Sequence, residues 1–431
     1  MLRHPLLAIL LFLTACGQSR PETVVVIVLD TVRADHTSVC GYPRPTTPAL
    51  VALRDERGAK VACHAYSDAP WTLPSHGSLF TGLPTPDHGL HFPPAGTRAR
   101  DRLWALDKDV PTLAEQMRAR GYQTVFVSGN PIIRPSTGLQ RGFDRVALAR
   151  RFGDLSGSAM LVRLRDELTR EDRDQPLFLF VNIADAHQPW SGTPKGLGWV
   201  PPRKGLAFHS RKPGDIRQKY MKGHLEPKKM KQIAEHNIDV YDYGVSKDDA
   251  TVLGVLGVIE QERGFPDRLA VTSDHGEYLG DHGFVGHGGT VFDSVTRVPL
   301  LALGRGAGGL PDGPFAIRSV HDWVLTGHWP SPAQPVAAVA YASPSWRRFF
   351  HSPWGRITQV AMWSGTDKVR WTSDGKVVRF DLAKDPKEKQ PLPADDDPLV
   401  PALRDLAAKT GKEPPPGHGT GLELQKLGYV E

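Results

Sequence analysis

The 431-residue chain has 40% hydrophobic and 23% charged residues, which excludes bulk disorder and allows a sizeable buried core. Its length suits one large α/β domain or two to three structural units. The net charge of +6 is not gathered into any recognised nucleic-acid module, so nucleic acid is not an expected partner.

At the N-terminus, Met1-Leu-Arg-His4 is basic and Pro5 to Leu13 is apolar. That core is too short to span a bilayer and fits a secretory signal. It runs into Leu13-Thr-Ala-Cys16, the pattern of a bacterial lipoprotein cleavage box, with an ordinary signal carrying a chance cysteine as the alternative. Cys16 is then the expected lipidation site. The mature protein is expected in the cell envelope, anchored by lipid on its periplasmic or extracellular face. Residues 17–22 read as a tether. Cys40 and Cys63 could pair in an exported protein, or remain two separate buried thiols.

From residue 23 to 335, strand-like runs alternate with helical ones. Val24 to Leu29 is strand-like, Thr46 to Arg57 helical, Pro111 to Arg120 helical, and Thr124 to Ser128 and Leu177 to Ile183 strand-like. A long helix is predicted over Lys231 to Arg263, followed by strands at Leu269 to Ser273 and Pro299 to Leu303. Continuous apolar runs between amphipathic segments predict a mostly parallel sheet sandwiched by helices, an α/β fold. The stretch from Lys195 to Lys231 interrupts this pattern with eleven Lys/Arg and several Pro/Gly, and reads as a surface insertion or a gate for anionic substrates. From 336 to 431, short alternating runs at Ile357 to Trp363, Lys368 to Thr372 and Val377 to Leu382 predict a small antiparallel α+β subdomain. It includes a helix over Leu399 to Lys409 and ends in an irregular tail.

In a doubly covered parallel sheet, chemistry is expected beyond the carboxyl ends of the strands. Asp30 follows the first strand, and Asp274-His275 follows the strand at 269–273. Thr72, in Thr72-Leu-Pro-Ser-His76, sits where a helix begins, since Pro is well tolerated in a first turn. A hydroxyl there could serve as a nucleophile, or merely cap the helix.

The order and context of these pieces resemble the sulfatase family of the alkaline phosphatase superfamily. The segments that carry the likeness are Val24 to Asp30, Thr72 to Gly82, Phe178 to Trp190, Thr272 to Gly283, Gly286 to Pro299 and Phe380 to Pro386. The resemblance implies an alkaline-phosphatase-like fold and a divalent metal held by Asp30, Thr72, Asp274 and His275. It further implies that His187 and His287 act on the transferred group and that His76 lies on the substrate side. Calcium is the family's usual ion. Thr31 replaces a second Asp, and His275 stands where Asn is common, so the ligand set leans toward zinc or manganese.

One departure bears on the chemistry. The family's Cys or Ser that becomes formylglycine is Thr72 here, and oxidising a secondary alcohol gives a ketone, so no formylglycine is expected. The segment is also similar to the Thr-x-Pro-Asn-His nucleophile of nucleotide pyrophosphatase/phosphodiesterases, while phosphoethanolamine transferases also use Thr. The reading is a metal-dependent hydrolase of a sulfate or phosphate ester, on a glycan, lipid or small molecule. An envelope phosphotransferase and a degenerate binding lipoprotein are the alternatives, and the oligomeric state stays open.

Overall fold

In a computed structural model, the described residues are 20–93, 102–190, 198–199, 216–330, 336–342, 357–412 and 422–423. Cys16 and its cleavage box, most of the basic insertion and most of the tail lie outside them. Among the described residues, no helix is long and apolar enough to cross a membrane.

Eight strands form the main sheet: β1 (Thr23–Leu29), β2 (Lys60–Tyr66), β3 (Gln123–Ser128), β4 (Arg145–Leu148), β5 (Leu177–Ile183), β6 (Arg268–Ser273), β7 (Arg297–Gly304) and β8 (Phe315–Ala316). Their order is β8-β2-β7-β6-β1-β5-β3-β4. The five from β6 to β4 are mutually parallel, with β1 flanked by β5 and β6. β7 runs antiparallel to both β6 and β2, so it alone is reversed. The mostly parallel expectation holds, and β7 is the one strand of the eight that runs the other way, a direction that an apolar run does not encode.

β1 is buried along its whole length. Val24, Val26 and Val28 face one core, with Leu73 and Phe80 of α2 (Thr72–Thr81) and Met117 of α3 (Leu113–Ala119). Val25, Ile27 and Leu29 face a second, with Leu50 of α1 (Pro48–Arg57), Leu164 of α4 (Ser158–Leu168) and Val252 of α5 (Pro227–Arg263). The two-residue side-chain period sends alternate residues to opposite faces, and helices cover both.

A second, four-stranded antiparallel sheet joins β9 (Val336–Ala340), β10 (Gln359–Ser364), β11 (Asp367–Thr372) and β12 (Val377–Asp381). Its link to the main unit is ionic as well as apolar. Lys368, fully buried, donates from Nζ to the Val291 carbonyl at 2.6 Å and to Asp293 Oδ1 at 2.9 Å. It also pairs with Glu388 Oε1 at 2.6 Å.

Cys40 and Cys63 form a disulfide with Cα atoms 5.6 Å apart, which settles the open pairing. Closing a loop across 23 positions stabilises the fold by about 3 kcal/mol in the chain-entropy model.

Candidate functional site

The site is assembled at the carboxyl ends of β1, β5 and β6 and at the start of α2. Asp30 is the first residue past β1, and its amide donates to the Ile183 carbonyl at 2.8 Å, which carries the parallel pairing one step beyond the strands. Its Oδ2 accepts from Asn130 Nδ2 at 2.6 Å and from Asn182 Nδ2 at 3.4 Å. Asp274, the first residue past β6, accepts through Oδ1 from the amides of Thr31 at 3.1 Å and His275 at 2.9 Å. Each carboxylate therefore has one oxygen fixed by the protein. Asp30 Oδ1 and Asp274 Oδ2 are buried with no hydrogen-bond partner among the described residues.

His275 is held by its other nitrogen. Nδ1 donates to the Gly276 carbonyl at 2.9 Å, which leaves Nε2 with a free lone pair. One ligand atom each from Asp30, Asp274 and His275 lie within 4.8 Å of one another. Burial and the proximity of Asp274 push Asp30 up to about 8, while burial pushes Asp274 up to about 7. Burial also lowers His275, favouring the neutral imidazole. Two converging carboxylate oxygens without donors, beside a neutral imidazole, fit a divalent cation. Asp30, Asp274 and His275 are the residues that would hold it.

Thr72 is the first residue of α2, and the N-cap is Trp71, with extended backbone and no side-chain cap bond. The capping alternative for Thr72 is thereby excluded. Its Oγ1 lies 3.2 Å from His275 Nε2, at the edge of the candidate metal triangle. Ser75, one turn in, donates to the Asp274 carbonyl at 2.6 Å and ties the helix start to the end of β6. His76 Nδ1 donates to the Thr72 carbonyl at 2.9 Å and stands 3.5 Å from Asp274 Oδ2. Its ring meets Phe80 and Phe180 edge-on, and burial lowers it to about 3. His76 thus buttresses Thr72 and Asp274 from behind.

The two remaining histidines join the same cluster. His287 lies with its ring centroid 4.5 Å from that of His275 and 5.2 Å from that of His187. Its Nδ1 faces Glu277 Oε2 at 2.9 Å. His187 stacks on Phe152 at 4.2 Å and donates from Nδ1 to the Gln188 carbonyl. Every site residue singled out in the sequence, Cys16 apart, comes together here. The turn between His275 and Glu277 must be tight: a Cβ on Gly276 would fall 2.2 Å from the Ser294 carbonyl oxygen.

Sequence reasoning missed the residues that hold these groups. Asn130 and Asn182 fix Asp30, and Glu277 orients His287. Asp248 of α5 accepts the amides of Asp185 (2.9 Å) and Ala186 (3.2 Å), fixing the turn that carries His187. The only available signal was position: Asn130 and Asn182 lie at or just past the ends of β3 and β5.

The sulfatase family model matches residues 22–308 of the chain. Among solved structures, a putative sulfatase from Bacteroides thetaiotaomicron is similar at 15% identity, covering 90% of this chain and 91% of that one, with a TM-score of 0.64. The phosphonate monoester hydrolase of Agrobacterium radiobacter is similar at 17% identity, covering 90% and 94%, with a TM-score of 0.62. The zinc complex of the C-terminal periplasmic domain of EptC from Escherichia coli is similar at 17% identity over 70% and 81%, with a TM-score of 0.50. No curated protein matches the sequence. Identities this low show the fold alone, whereas the family model spans well over half of the chain. The protein belongs to the sulfatase family, whose members are metal-dependent hydrolases of ester bonds.

Proposed function

We propose that this protein is a metal-dependent hydrolase that cleaves an anionic ester by attack from Thr72, phosphoesters in preference to sulfate esters. The observation that carries the reading is the Thr72 hydroxyl, at the first position of α2 and 3.2 Å from His275 Nε2, beside two buried carboxylates with unpartnered oxygens. A divalent cation held by Asp30, Asp274, His275 and Thr72 would polarise the ester oxygen and acidify the hydroxyl. Thr72 Oγ forms the new bond to phosphorus as the bond to the leaving oxygen breaks. His287, oriented by Glu277, and His187 steady the transferred group and supply a proton to the leaving oxygen. Water then releases the group from Thr72. A phosphorylated threonine is readily hydrolysed in such a site, whereas a sulfated one lacks the release route that a formylglycine hydrate provides.

Aryl phosphodiester and aryl sulfate turnover, measured side by side on metal-loaded protein, tests the preference. Faster sulfate turnover that survives Thr72→Ala would sink it. Metal binding without turnover of any ester would favour a binding lipoprotein. The second reading, an envelope phosphotransferase, is supported by the Asp/Asp/His/Thr donor set. Transfer to an added alcohol in place of water is its readout.

The Cys16 box supports an envelope location on a lipid anchor. Cys16→Ser should convert a membrane-associated protein into an uncleaved or soluble one. Unchanged fractionation would remove the anchor from this reading.

A further inference from the structure

A cavity of about 410 Å³ opens beside the turn at Leu279–His282. Its lining includes none of Asp30, Thr72, His187, Asp274, His275 or His287, so it is separate from the candidate metal centre. Arg33 divides the two: it lines the cavity and donates from Nη1 at 3.0 Å to the carbonyl of Glu277. A volume of this size suits a ligand as large as a monosaccharide.

The charges on the lining are unevenly satisfied. All four carboxylates have protein partners. Asp35 is held through both oxygens by Arg33, at 2.9 and 2.7 Å, and Asp281 by the same guanidinium at 2.7 Å. Asp293 is bound by Lys368 at 2.9 Å, and Glu388 by Lys368 and the Asp293 amide, each at 2.6 Å. The remaining cations have no such partners. Arg297 donates only from Nε, to the Cys63 carbonyl at 2.8 Å, which leaves both terminal amino groups without a protein acceptor among the described residues. Lys387 and Lys389, exposed at the rim, make no ion pair among the described residues. His282, stacked on Phe292 at 3.8 Å, adds an uncharged ring, since burial lowers it to about 4.

We propose that this cavity binds a tetrahedral oxyanion, a phosphate or sulfate group, with Arg297 as its bidentate anchor and Lys387 and Lys389 as the entrance. Arg33 and Lys368 hold all four carboxylates between them. With Arg297, Lys387 and Lys389 added, the cations outnumber the carboxylates by one, while the unbonded terminal amino groups of Arg297 are left to take an external anion. The group could arrive on a sugar-sized molecule or as the free ion. The site does not depend on Thr72 being the nucleophile.

Calorimetric titration of the full metal-loaded protein, with inorganic phosphate and separately with glucose 6-phosphate at low ionic strength, tests the assignment. Wild type should show two sites for at least one probe. Lys387→Ala combined with Lys389→Ala, both at exposed positions, and separately Arg297→Gln, should weaken one of the two by about tenfold or more. Turnover of a small aryl ester should be unchanged. If both probes lose the second site, it takes the free ion; if only the sugar phosphate does, it takes a substituent. No site in wild type, or one or two sites that the lysine double variant leaves unaltered, would overturn the proposal. A single site weakened in that variant is the cavity's own and leaves only the metal centre without phosphate.

Discussion

Two buried ionic clusters lie on the same molecule and are built on opposite terms. Around Lys368, the buried Glu388 and the partly buried Asp293 share a protein cation, and Asp293 also takes hydrogen bonds from Trp363 and Tyr66. Burial pushes Glu388 up to about 7 against the pull of Lys368. Around Asp30 and Asp274, two carboxylates are fully buried, and among the described residues no lysine or arginine pairs with either. A buried carboxylate costs several kcal/mol unless paired, so a fold tolerates an unpaired couple only where a ligand completes it. The first cluster is a joint between two sheets. The second has the donor set of a metal site.

The largest expected effect lies at the edge of the second cluster. Thr72→Ala should reduce turnover by about 10⁴–10⁶ while leaving the unfolding midpoint nearly unchanged, and Thr72→Ser should keep part of the rate. Equal loss of rate and of stability would make Thr72 structural.

Next in size is the pH response of metal-free protein. Asp30 at about 8 and Asp274 at about 7 lie above the ordinary carboxylate value of 3.8. The folded state therefore keeps protons that the unfolded chain releases. Their stabilisation is fully present below about pH 4 and is lost as pH rises toward 8, each group contributing about 1.4 kcal/mol per pH unit between its unfolded and folded values. Divalent metal displaces those protons, so loaded protein should lack this loss. Denaturant midpoints from pH 5 to 9, with chelator and with metal, measure the difference, and parallel curves would erase the contrast between the clusters.

Lys368→Met probes the joint. Removing one partner of a buried pair costs about 3–5 kcal/mol, here without loss of rate per folded molecule. A change under about 1 kcal/mol would mean the joint is held by its apolar contacts alone. The smallest effect is expected from Asn130→Ala, which withdraws the 2.6 Å donor to Asp30. Metal affinity should fall by about 10–100-fold, read by competition with a chromophoric chelator. Unchanged affinity would show that Asn182 suffices.

The legible parts of the chain are those whose signal is local. The apolar runs of β1, β5 and β6 announce strands buried on both faces, and each ends in or near a site residue. Strand β2 escaped notice because Lys60, Cys63 and His64 break its alternation, and its outer positions are exposed. The helix α4 and the strand β9 were also missed. The direction of β7 and the pairing of Cys40 with Cys63 depend on how distant segments meet, which a single sequence does not encode. The same holds for Asn130, which reaches Asp30 only because β3 and β1 both flank β5. Thr72, Asp30 and Asp274-His275 could be singled out because they stand at element ends, where polar residues carry more information.

Helix α5 spans 37 residues, about 55 Å at the usual rise, and holds two of the site's loops at once. Tyr241 takes the Arg33 amide and donates to the Thr31 carbonyl, both beside Asp30. Two turns on, Asp248 grips the Asp185–Ala186 turn that leads to His187, and a Cβ on Gly244 would fall 2.7 Å from the Asp185 oxygen. A methyl group added at Gly244 would therefore press on the Asp185–Ala186 turn and, through the helix, on the loop after β1. Laboratory evolution toward new esters should accept changes on the outward face of this helix and find its inward face closed, because no single loop there can be retuned without moving its neighbour.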